Sequence, residues 1–176
     1  MNNEPWIPLA TEVLLTIPTN SVEQAYYGPY NLLLTDSFPG QAGYIVSPQT
    51  NPNSREAIDF LLEYVVIINR IPVMVVEVKR ENTLQFEHAR VNADLQVRDR
   101  FESMRNEHRL SETVGISIFG RFCRVYRYNR ATQQITANGG DDLNQAHWNI
   151  DLHTHQGRME LAAVFEHVRQ LVVQEL

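Results

Sequence analysis

Glu77 and Lys79 stand two residues apart within the apolar run Pro72–Lys79, PVMVVEVK. On a strand that spacing puts both side chains on one face. A carboxylate and an ammonium then share an apolar setting where either charge alone would be costly. Asp59 lies on the preceding run Ala57–Asn69, AIDFLLEYVVIIN, joined to the next by Asn69-Arg70. If the hairpin brings Asp59 beside Glu77, two carboxylates meet one ammonium. Two carboxylates repel unless a cation or proton lies between them. A hard divalent ion that takes oxygen ligands, Mg2+ or Mn2+, meets that need. The lysine can then orient or deprotonate an attacking water, or offset charge building on a phosphate. That is equipment for phosphodiester hydrolysis. The competing reading is a Glu–Lys ion pair that only closes the end of a strand.

Hairpin counting sets Glu77 near Leu62 and Lys79 near Phe60, so Asp59 needs a bulge or twist to reach Glu77. Glu63 shares strand parity with Asp59 and is the second candidate ligand.

The elements that must position these residues follow from periodicity. Residues 1–20 are rich in Pro and Asn and read as an irregular arm, with a short helix around Thr11–Leu15. Ser21-Val22-Glu23 is a helix start, Ser capping and an acid in the first turn. That helix runs to about Asp36, with Gly28-Pro29 kinking or splitting it. Gly43–Ser47 is a short strand and Pro48–Ser54 a loop. From about Val65 to Val76 the two long runs are apolar on both faces, so they are central strands covered on both sides. A helix over Leu84–His108 carries Phe86, Ala89, Ala93, Val97, Phe101 and Met104 on one stripe. Val114–Phe119 and Phe122–Tyr128 form a hairpin around Gly120. Residues 131–147 read as a polar loop, Trp148–Leu152 as an apolar anchor with His147 and Asp151, and Gly157–Leu176 as a closing helix. The order α-β-β-β-α-β-β-α predicts one α/β domain over 1–176, a mixed sheet with helices on both faces rather than a regular βαβ repeat.

I-D59-F, a strand pair and E77-V-K79 resemble the PD-(D/E)XK motif of the restriction-endonuclease-like nuclease superfamily. Ile58 stands where the motif writes proline, a position that varies in the family. The element order is similar to that superfamily's α-β-β-β-α-β core over roughly residues 21–128, here with an added strand and C-terminal helix. The resemblance implies a divalent-metal nuclease acting on DNA ahead of RNA. It implies an acid from the first helix, Glu23 with Glu12 as fallback, and a residue from the helix after the E-x-K strand, Gln96. It implies the Val78 carbonyl as a metal ligand beside Asp59 and Glu77. The wording YGPYNLLLTDSFP, PVMVVEVKRE and ADLQVRDRF resembles a group of small fungal nuclease-like proteins. A non-catalytic binding module, effector-like, is the alternative on the same fold.

Charge is uneven. The chain carries 15 basic and 21 acidic residues, net −6, which argues against a general nucleic-acid coat. Fourteen of the bases are Arg, and Lys79 is the single lysine. No acid falls between Glu112 and Asp141, where Arg121, Arg124, Arg127 and Arg130 interleave with Phe122, Tyr126 and Tyr128. Such a strip suits nucleic-acid backbones and unstacked bases, with Arg121, Arg124, Arg127 and Tyr126 as candidates. A half-solvated hairpin explains it as well. The helix arginines Arg90, Arg98, Arg100, Arg105 and Arg109 are matched by acids and read as a solvated face. His153 and His155 have a spacing zinc sites use, but a surface pair accounts for them without a third ligand. One cysteine, Cys123, excludes an internal disulfide framework and suits a reducing compartment. With a polar N-terminus and no apolar run of membrane-spanning length, the expectation is an intracellular protein, in the cytoplasm or nucleus, with a homodimer as the candidate assembly.

Overall fold

The computed structural model describes residues 5–49 and 62–176. Its centre is a seven-stranded mixed sheet, with order β1-β2-β3-β4-β5-β6 and β7 paired to β5. The strands are β1 (Tyr44–Gln49), β2 (Leu62–Ile68), β3 (Ile71–Lys79), β4 (Glu112–Phe119), β5 (Phe122–Asn129), β6 (Gln134–Ala137) and β7 (Ile150–Asp151). The helices are α1 (Pro8–Thr16), α2 (Tyr27–Ser37), α3 (Glu87–Ser103) and α4 (His155–Glu175). All neighbours are antiparallel except β3 and β4. A parallel pair needs a long crossover, and α3 supplies it.

The two-residue turn Asn69-Arg70 has φ of 51° and 66°. Left-handed values at both positions match the strand twist that a tight hairpin requires. The ladder then slips. Ile68 faces Ile71 and Ile67 faces Pro72, but Val66 faces Met74, so Val73 has no partner on β2. Pro72 has no N–H to give a ladder, and proline in a sheet collects at such bulges.

One face of the sheet carries Tyr64, Val66, Met74, Val76, Val78, Ile116, Ile118 and Val125, packed with residues of α1, α2 and α4. The opposite face meets α3, through Val97 and Phe101 against Tyr126 and Tyr128, and Met104 against Val65 and Val75. Gly115 lets α3 come close: a Cβ there would lie 2.7 Å from both Phe101 and Val97.

Four expectations change. Within the N-terminal arm, α1 and its flanks join the core, because Trp6, Ala10, Leu14 and Ile17 are buried with α2. The helix from Ser21 is divided into a 3-10 turn, Glu23–Tyr26, and α2, with Gly28-Pro29 in the first turn of α2. Pro is tolerated there because first-turn N–H groups lack helical partners; Ser21 does not cap, as Val22 holds the N-cap position without a side-chain bond. The polar segment 131–147 contains edge strand β6 and a 3-10 turn, Gln145–His147. Its exposed and half-buried positions offered no apolar run to read. Pro48 and Gln49, expected in a loop, end edge strand β1; the rest of that loop and Ala57–Leu61 lie outside the described residues.

Candidate active site

The bulge at Val73 determines which residues meet. Beyond it Glu63 stands directly opposite Glu77, and Leu62 opposite Val78. Such partners on antiparallel strands have Cβ atoms about 4.5–5.5 Å apart. Glu63, Glu77 and Lys79 share the face covered by α3, and Val78 points into the opposite core. Lys79 Nζ lies 3.0 Å from Glu77 Oε1. Glu77 is 2% exposed, and the Lys79 side chain 16%. From α3, Arg100 Nε reaches within 2.5 Å of Glu63 Oε1.

Burial pushes the Glu77 carboxyl from 4.5 up to about 8. Lys79 offsets part of that rise, while the charges of Glu63 and Glu23 add to it. Burial also raises the Glu63 carboxyl, against the opposing pull of Arg100 and then Lys79. Glu77 Oε1, Glu63 Oε1, Arg100 Nε and Gln96 Oε1 are buried without an aligned hydrogen bond among the described residues. The close charge contacts are therefore Coulombic more than hydrogen-bonded.

Of the residues expected in the site, Glu77 and Lys79 come together, with Glu23 in electrostatic reach from the 3-10 turn before α2. Gln96 is half-buried on α3, one turn before Arg100. Glu12 is exposed on α1. Asp59 lies outside the described residues. Among the described residues no three His, Cys, Asp or Glu groups converge as a ready ligand set. The two facing carboxylates are the residues that could hold a hard cation, each with one oxygen already against a side-chain cation, Lys79 for Glu77 and Arg100 for Glu63.

Sequence reasoning missed Arg100. The signal was present: it lies four residues after Gln96, so it shares that rim of the helix.

The arginine strip departs from the expected nucleic-acid surface. Arg124 is 0% exposed. Its guanidinium lies 5.2 Å from the Tyr126 ring and 5.0 Å from that of Trp148, and it donates to the carbonyls of Asn138, Gly140 and Asp142. Arg121 is buried in a two-bond pair with Glu81, at 2.7 and 2.9 Å. It also donates to the carbonyls of Leu15 and Ile17 at the end of α1. Tyr126 is buried, and Arg127 pairs with Glu112 at 2.7 Å. Arginine stacks on aromatic faces and forks onto oxygens, so these side chains satisfy the protein's own groups. His153 bonds Asp151 at 2.8 Å, and Trp148 is a core anchor that donates to Ser117 Oγ. No helix among the described residues is long and apolar enough to cross a membrane.

No family model, curated protein or solved structure matches the chain.

Proposed function

We propose that the chain is a divalent-metal-dependent nuclease of the restriction-endonuclease-like class, hydrolysing phosphodiester bonds in DNA ahead of RNA. The observation that carries this reading is the pairing of Glu63 with Glu77, with Lys79 on the same buried face. The β-β-β meander, the α3 crossover and the parallel β4 agree with that class's core. Glu77 and Glu63 hold Mg2+ or Mn2+, with Asp59 and the Val78 carbonyl as the further ligands that the motif suggests. The ion, when bound, supplies Lewis acidity and charge neutralisation. Lys79 holds its ammonium at the carboxylate edge, where it positions the attacking water and offsets charge on the phosphate. Glu23 acts electrostatically on Glu77, and Gln96 lies one turn before Arg100 on α3.

Purified protein with Mg2+ or Mn2+ is expected to cut DNA or RNA, and Lys79→Ala to lose the cutting. Full activity in that variant overturns the assignment.

A second reading is a binding module without catalysis. It is favoured by the cation each carboxylate already has, Arg100 for Glu63 and Lys79 for Glu77. Calorimetric titration with Mn2+ separates the two: no heat of binding supports the module.

A further inference from the structure

Each acid of the pair already has a side-chain cation against it, and the two cations differ in kind. Lys79 belongs to the same strand as Glu77 and lies two residues away, so its place is fixed by β3. Arg100 arrives from α3 on a long side chain that is 29% exposed. Its Nε is 2.5 Å from Glu63 Oε1, yet among the described residues neither atom makes an aligned hydrogen bond. A guanidinium binds a carboxylate best through its two-pronged fork. Arg121 does so with Glu81, through two nitrogens and two oxygens. Arg100 therefore holds Glu63 more by charge attraction than by a two-pronged fork.

We propose that Arg100 is an internal counter-cation that fills the cation position on Glu63 and must swing away before Glu63 and Glu77 could hold a divalent ion. Once displaced, its guanidinium sits at the mouth of the centre and receives the phosphate of the substrate. This rests on the metal-site reading above. The site is then guarded: uptake of the ion releases the basic group that substrate needs. The chemistry recognised is a divalent cation first and a phosphodiester second.

The test is calorimetric titration with Mn2+ alone on the full chain, wild type beside Arg100→Met, Glu63→Gln and the double variant. Removing a half-buried competitor is expected to tighten Mn2+ binding by about tenfold in Arg100→Met. Glu63→Gln weakens it, and adding Arg100→Met to Glu63→Gln then changes nothing. Arg100→Met is also expected to raise KM for DNA although it binds metal more tightly. If Arg100→Met does not fold, Arg100→Lys, which keeps charge but loses the planar Nε contact, is expected to tighten binding less. Wild type that binds no Mn2+ removes the metal reading itself. Wild type that binds, with folded Arg100 variants binding equally or more weakly, overturns this proposal alone.

Discussion

Replacing Glu77 with Gln keeps the shape of the side chain and removes its ionisation. The wild-type carboxyl titrates at about 8 in the folded protein against 4.5 in the free side chain. The native state therefore holds a proton that the unfolded chain releases above 4.5. Stability from this group is complete below pH 4.5, declines as pH rises, and is gone above pH 8. Linkage gives the size: at about 1.36 kcal/mol for each pH unit between the two values, the loss is about 3 kcal/mol at pH 7 and about 5 kcal/mol above pH 8. That is a large share of the roughly 5–15 kcal/mol that holds a domain folded. Glu77→Gln has no such loss. Urea unfolding in chelator, from pH 5 to pH 9, is expected to show the variant level with wild type at the acid end and several kcal/mol more stable at the alkaline end. Groups common to both proteins cancel in the difference. Saturating Mn2+ should return about 2.7 kcal/mol to wild type at a hundred times its dissociation constant, and nothing to the variant. A gap that stays constant from pH 5 to pH 9 refutes the buried-carboxyl reasoning.

Other substitutions test the frame around the site. Arg121→Met leaves the buried Glu81 carboxylate without its partner and should cost about 3–5 kcal/mol in urea unfolding, with Glu81→Gln/Arg121→Met recovering much of the loss. Gly115→Ala drives a methyl into Phe101 and Val97 and should cost about 1–3 kcal/mol, read as a lowered melting temperature. His108 is buried between the Phe101 carbonyl and the Thr113 hydroxyl, and burial lowers its pKa from 6.5. The unfolded chain binds that proton more readily, so stability from His108 is present above pH 6.5 and is lost as pH falls below it. His108→Gln is expected to flatten that part of the acid-side slope, measured by thermal unfolding from pH 7 to pH 4.5.

Much of the architecture was legible because it rests on short-range patterns. The apolar run ending in Glu77 and Lys79 announced a central strand, and β3 is buried from Pro72 to Val78. The stripe from Ala93 to Met104 announced α3, and all four of its main contacts are buried. Phe86, put on that stripe by spacing alone, is 47% exposed because it lies before the helix starts. The facing of Glu63 and Glu77 was not legible. It depends on a single unpaired residue at Val73, and a one-residue slip changes every cross-strand partner beyond it. Burial of Arg124 was hidden for another reason. Arginine usually marks surface, and the ring faces and loop carbonyls that enclose this one come from distant segments, Trp148 and 138–142 among them.

The Arg121 clasp has a consequence for synthesis. Its guanidinium binds the Ile17 carbonyl across 104 residues of chain. Helix α1 therefore leaves the ribosome long before the group that caps it exists. At about 5–20 residues per second, the helix waits roughly 5–20 s for the guanidinium that binds its last carbonyls. During that interval Trp6, Leu14 and Ile17 depend on α2 or on a chaperone. The segment carrying α1 is thus made well before the β4–β5 turn that clasps it.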